Sequence, residues 1–218
     1  ADFLAGLQRD KRKKIQQERR RVGEAGVTFE ELTGAEITSE DWDFFYRCYR
    51  LTYRAHHSTP YLTRDFFARM AETMASNWLL FIASGGGKRV AASLIAIDPQ
   101  RRAAFGRYWG AIEHIPNLHF EACYYRPLAW CVAHGYRRFE GGAQGEHKMA
   151  RGLLPVQTWS AHWLAHPQFA RAVGDFLERE GSGVEHYLDE LNERMPFKAA
   201  APNGAQLTVS PAPEPDRS

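Results

Sequence analysis

The chain has 218 residues, 44% of them hydrophobic and 25% charged, and a formal net charge of +2. This is ordinary globular composition, which excludes a wholly disordered chain, a collagen-like fibre and a coiled coil. No apolar run reaches the roughly 18 residues of a helical membrane span, so none is expected.

The chain opens on Ala1 with no signal-peptide pattern, and reads as a fragment or processed form. Cys48, Cys123 and Cys131 fit neither a disulfide framework nor a zinc spacing. They read as buried thiols of a reducing, cytoplasmic compartment, and no metal site is expected. The charge is uneven. Segment 9–21, RDKRKKIQQERRR, holds eight Lys/Arg against Asp10 and Glu18, a balance of +6 that leaves −4 on the rest. Such an arm attracts phosphates, and tRNA held through Lys11, Arg12, Lys13 and Lys14 is one partner it fits. A solvated helix with no ligand fits as well.

In chain order, Leu4, Leu7, Lys11, Ile15, Glu18 and Val22 recur at helical spacing and predict one helix over 2–22, stopped by Gly23 and Gly26. Residues 27–33 predict a short strand. An aromatic helix follows over about 40–56, capped by Thr38 or Ser39, with Phe45 and Tyr49 toward a core. His56 to Pro60 break it. Thr63 caps a helix over 64–75 with Phe66, Phe67, Met70 and Met74 as its stripe. Strands are predicted at 78–83, 89–97 and 102–112, the first two joined by a Gly turn. Asn117 starts a helix running to 134, with Phe120, Cys123, Tyr124, Pro127, Leu128, Cys131 and Val132 on one side and a kink at Pro127. A fourth strand over 136–142, a glycine-rich loop over 141–152 and a short strand at Gln157 to Trp163 follow. A last helix from His166 is expected to break at Gly181 and Gly183. Residues 199–218 are Ala/Pro-rich and read as a disordered tail.

Three antiparallel strands and then a helix crossing to a fourth make a mixed, mostly antiparallel sheet flanked by helices, an α/β fold. That order resembles the GNAT acyltransferase fold. Three strings sharpen it: Arg107 to Gly110, Leu118 to Tyr125 and Phe139 to Gly152 resemble signatures of a bacterial family of predicted N-acyltransferases labelled peptidoglycan biosynthesis/recognition. Asp2 to Leu4 and Asp10 to Ile15 resemble it too. The family is similar to the Fem-type aminoacyl transferases, which have two tandem GNAT-like halves. The resemblance implies a C-terminal half: a basic N-terminal helix over 1–26, a GNAT-like domain over 27–198 and the tail. It also implies transfer of an acyl or aminoacyl group to an amine, for instance of a peptidoglycan precursor, with acyl-CoA or aminoacyl-tRNA as co-substrate and no bound cofactor. The junction 113–119 has no glycine, so the acyl-CoA-binding Q/RxxGxG/A turn is missing.

Acyl transfer to an amine needs a proton acceptor, an oxyanion donor and a proton for the leaving group. Glu121, Tyr124 and His147 are the candidates for proton transfer. Arg107, Tyr108, Trp109, His119, Gln144, Lys148 and Arg151 are candidates for binding substrate, the last two as phosphate clamps. Two rival readings stay open: a binding module for tRNA or an anionic cell-wall precursor, and a structural half whose site lies elsewhere. A homodimer through the aromatics of helix 40–56 is a further expectation.

Overall fold

A computed structural model describes residues 2–142 and 146–198. In chain order the elements are α1 (Asp2–Gly6), α2 (Arg9–Glu24), β1 (Thr28–Thr33), α3 (Ser39–Ala55), α4 (Arg64–Thr73), β2 (Trp78–Gly85), β3 (Lys88–Asp98), β4 (Ala103–Ala111), α5 (Leu118–Phe120), a π-helical turn (Glu121–Tyr125), α6 (Arg126–Ala133), β5 (Arg138–Glu140), a 3-10 segment (Glu146–Arg151) and α7 (Pro167–Glu193). The described residues form two compact units, one from residues 12–142 and one from 2–11 with 146–198. Gln144 and the tail 199–218, both singled out from the sequence, lie outside the described residues.

The larger unit is one sheet in the order β1-β2-β3-β4-β5. The first four strands run antiparallel, and β5 joins β4 in parallel after the helical crossover from Leu118 to Ala133. This is the mixed, mostly antiparallel α/β architecture expected from the element order. β2 is an unbroken apolar run because both of its faces are covered. Leu80 and Ile82 point to α3 and α4, where Trp42, Phe45, Cys48, Tyr49 and Phe67 complete one core. Leu79 and Phe81 point the other way, against Trp130 and Cys131 of α6. Val22 of α2 and Leu118 close a third cluster with Val90 and Ala91.

Thr38 caps α3 reciprocally: its hydroxyl accepts from the Asp41 N–H, and its own N–H donates to Asp41 Oδ2 at 2.8 Å. The helix crosses β4 very closely at Gly110, where any Cβ would collide with the Cys48 carbonyl. Thr52 Oγ1 donates to the Trp109 carbonyl at 2.8 Å. The aromatics of α3 face this chain's own core rather than a dimer contact.

Several local expectations are corrected. The helix over 2–22 is two helices, because Leu7 leaves the helical path to bridge Phe197 and Gln8 N–H donates to the Pro196 carbonyl. On α4 only Phe67 is buried, while Phe66 and Met74 are exposed. On the crossover the π turn adds a residue ahead of Pro127, and residues 121, 122, 124 and 125 are all buried. Val132, assigned to the stripe, is 63% exposed.

In the smaller unit Leu7, Met149 and Leu191 are buried, and Phe3 meets Phe197 edge-on. Gly152, at φ +84°, sits where a Cβ would strike the Phe3 ring, so no other residue fits there. Residues 157–163 form no strand, and Trp159 and Trp163 are exposed. α7 runs unbroken through Gly181 and Gly183, neither of which takes a positive φ.

Candidate active site

β5 pairs with β4 only through Ala103↔Arg138, Ala104↔Phe139 and Phe105↔Glu140. Beyond Phe105, β4 continues for six residues with no paired strand on that edge among the described residues. The close approach of the Glu140 carbonyl to Gly106, 3.4 Å from where a Cβ would lie, marks where the two strands part. On the other edge the register slips: Ile95 faces Gly106 but Leu94 faces Tyr108, so Arg107 is the extra residue of a β-bulge. Bulges re-aim side chains and free backbone groups from the ladder, and they concentrate beside active sites.

The bulge splits the Arg107-Tyr108-Trp109 string among three surroundings. Arg107 is exposed, its guanidinium carbon 5.7 Å from the centre of the Tyr108 ring. Tyr108 turns to α3 and α4, meeting Tyr49 at 5.2 Å and Phe67 at 6.0 Å, edge to face. Its hydroxyl lies 2.9 Å from that of Tyr61. Desolvation, then the Tyr61 hydrogen bond, pushes the Tyr108 phenol up to about 12, so its hydroxyl stays protonated at neutral pH. Desolvation, then Tyr49, raises Tyr53 as well. One phenol of the Tyr61–Tyr108 pair donates to the other. Trp109 turns to the opposite side, 5.4 Å from the His119 ring.

The crossover helix brings His119 and Tyr124 together. The His119 ring meets Tyr124 edge-on at 5.5 Å, and Phe120 stacks on Tyr124 at 6.3 Å. Tyr124 and Tyr125 are both buried. Glu121, 4% exposed, is held by two guanidiniums. Arg19 reaches it through Nε at 3.0 Å and Nη2 at 3.0 Å, and Arg126 through Nε at 3.2 Å. Arg126 continues to Glu31 at 3.2 Å and lies 4.6 Å over the Phe29 ring. Next to Arg19 in the chain, Glu18 accepts from the buried Tyr125 hydroxyl. The two breaks in the apolar stripe of α2 are therefore unlike: Glu18 is a buried hydrogen-bond partner, and Lys11 is half-exposed.

His147, Lys148 and Arg151 lie in the smaller unit. Arg151 is buried and its Nη1 donates to the His147 carbonyl at 2.7 Å. Desolvation, then the charges of Arg151 and Lys148, hold the His147 pKa below its usual value. No group of three or more His, Cys, Asp or Glu able to hold a metal occurs among the described residues, and no helix among them is long and apolar enough to cross a membrane.

The sequence reading missed Thr52, Tyr61, Arg19 and Arg126. Arg19 carries no local signal, since only the fold brings it to a residue 102 positions away. Tyr61, between two helix signals, could have been weighed as a loop aromatic.

Solved structures with similar architecture include an aminoglycoside acetyltransferase, meta-AAC0020, from an uncultured soil metagenomic sample (12% identity, 66% of this chain and 98% of that one, TM-score 0.46). L-PGS from Bacillus licheniformis aligns at 13% identity over 61% of this chain and 42% of its own, TM-score 0.46. Ribosomal-protein-alanine N-acetyltransferase from Brucella melitensis biovar Abortus 2308 aligns at 15% over 64% and 99%, TM-score 0.41. No curated protein matches the chain. The model of the FemAB-like family, described as peptidoglycan biosynthesis/recognition, matches residues 1–199, and the chain belongs to that family.

Proposed function

We propose that the chain is an N-acyltransferase that passes an acyl or aminoacyl group directly to an amine, within a FemAB-like protein acting on a peptidoglycan precursor. The observation that carries the reading is the parting of β4 from β5 at Gly106 beside the Arg107 bulge. It leaves a strand edge along which a donor can lie and backbone N–H groups that can meet a tetrahedral oxyanion. The family assignment supports the same reaction class.

In this reading the amine attacks the donor carbonyl and a proton leaves it as the C–N bond forms. Collapse of the oxyanion expels the leaving group, which takes up a proton. Arg107 and the Tyr61–Tyr108 hydroxyls orient the acceptor. Trp109, His119 and Tyr124 line the other side, with Tyr124 as the proton donor to the leaving group. Glu121 takes no proton here. With both oxygens engaged by Arg19 and Arg126 it fixes the basic helix to the crossover, and is a positioning residue. The α2 face bearing Lys13, Lys14 and Arg21 is exposed, and a phosphate-bearing donor such as aminoacyl-tRNA would contact it.

The test is a thermal-shift screen against acetyl-CoA, long-chain acyl-CoA, charged and uncharged tRNA and a UDP-linked precursor. A ligand at 100 times its dissociation constant stabilises a fold by about 2.7 kcal/mol. Stabilisation by one donor, together with stabilisation by the UDP-linked precursor that Arg107→Ala weakens, supports the reading. Stabilisation by charged and uncharged tRNA alike, without acyl turnover, selects the binding-module reading instead.

A further inference from the structure

At the far end of β4 from the bulge, a hollow of about 470 Å³ opens between the ends of β1 and β3 and the end of α6. Arg102, Trp130, His134 and Tyr136 form its wall, with Pro99 and Ser76 at its sides. The transfer reaction proposed above uses none of these residues.

The hollow is built from two fixed pieces. The first is the β3–β4 turn. Asp98 Oδ1 accepts from the Gln100 N–H at 3.0 Å and the Arg101 N–H at 2.9 Å, which shapes the loop. Arg102 then takes a left-handed backbone, φ +50°, a conformation that residues with a Cβ seldom adopt. Its carbonyl accepts from Arg137 N–H at 2.8 Å and Arg138 N–H at 3.3 Å, which holds it there. Its Nη1 donates to the Gly135 carbonyl at 3.4 Å, and Gly135 is a residue at which a Cβ would lie only 2.9 Å from that nitrogen. One guanidinium N–H is thus anchored, and the group remains exposed.

The second piece is an aromatic stack. The His134 ring lies on Trp130 at 4.2 Å with 20° between planes, and Tyr136 leans on Trp130 at 4.9 Å. His134 Nδ1 lies 2.8 Å from the Trp130 carbonyl. A carbonyl only accepts, so that nitrogen carries the proton and the ring orientation is fixed. One face of the imidazole is covered by Trp130, and the residue is otherwise exposed.

We propose that this hollow is a second ligand site, separate from the transfer site, for an anion carried on a planar ring, of which a nucleoside monophosphate is the simplest case. The ring extends the Trp130–His134 stack by one layer, and the anion meets the Arg102 fork. An aromatic carboxylate carries the same two features and competes for the same place.

The experiment is isothermal titration of the whole chain with adenosine monophosphate, adenosine, inorganic phosphate and benzoate. Ring and anion together should bind at least tenfold more tightly than adenosine or phosphate alone, and benzoate against adenosine monophosphate ranks the two anions. Arg102→Ala and His134→Ala should each weaken adenosine monophosphate at least tenfold, with melting curves confirming that both variants fold. Absence of heat up to millimolar adenosine monophosphate overturns the proposal. So does binding that both folded variants retain, which would put the nucleotide elsewhere. Neither result bears on acyl transfer, which is read at Arg107.

Discussion

Replacing Arg19 by Ala should destabilise the fold by about 2 kcal/mol, because it removes the larger share of the Glu121 clamp. The Glu121 side chain is 5% exposed, and Arg19 supplies contacts at 3.0 and 3.3 Å to its two oxygens. A hydrogen bond to a charged group contributes about 1.5–3 kcal/mol, and stripping one partner from a fully buried pair costs about 3–5 kcal/mol. Two features pull the figure to the low end. The Arg19 side chain is 39% exposed, so water screens its charge, and Arg126 stays on Glu121 at 3.2 Å. Glu121→Gln should cost a similar amount, since the amide keeps the shape but loses the charge. The double variant should cost less than the sum, with a coupling of about 1–2 kcal/mol. Urea denaturation followed by far-UV circular dichroism on all four proteins closes the cycle, and each kcal/mol should also lower Tm by roughly 2–4 °C. A coupling below about 0.5 kcal/mol, the ordinary scatter of independent sites, would refute the clamp.

Gly110→Ala should cost more than about 3 kcal/mol or prevent folding, since backbone meets backbone there and neither element can yield; chemical denaturation or soluble yield reads this out. Burial pushes the thiols of Cys48 and Cys131 up to about 12, so at pH 8 only Cys123 should label with a maleimide in the native state and all three should label in denaturant, as intact mass will count. Tyr108 keeps its proton in the fold to about pH 12 but would lose it near 10 when unfolded. Its contribution to stability is therefore complete below pH 10 and lost as pH rises toward 12, and Tyr108→Phe should flatten alkaline unfolding over that window. The fold lowers the His147 pKa, so His147 favours stability above about 6.5 and costs it as pH falls below; the imidazole shift in an NMR titration should come below that of a free histidine.

Elements with strong local patterns were legible in the sequence. β2, β3, β4, α3 and the crossover helix each carry a long apolar series, and the structure places them within a few residues of expectation. Short or partnerless segments were not. Residues 157–163 have the composition of a strand, but a strand exists only where it is paired, and these residues pair with none of the five strands. The break in the first helix depends on Phe197, almost the whole chain away. The candidate site was legible in part. The Arg107-Tyr108-Trp109 string does lie on the bulge, but that Arg107 is the bulged residue is a matter of register, which the sequence of one strand does not carry. Glu121 read as a candidate for proton transfer because the two arginines that claim it are invisible until α2 is folded against the crossover.

In the transfer reading proposed above, the contact between Gly110 and the Cys48 carbonyl bears on how an acceptor would enter. With the helix backbone against the strand and Thr52 bonded to Trp109, α3 and β4 behave as one solid piece. The tyrosine wall built on them can neither tilt nor part to admit an acceptor. Any gate on that side has to be the stretch between α3 and α4, residues 56–63, which holds Tyr61 over the wall and includes His57 at φ +53°. The Tyr61–Tyr108 hydrogen bond is then the latch, and the speed at which it opens would limit how fast acceptors exchange.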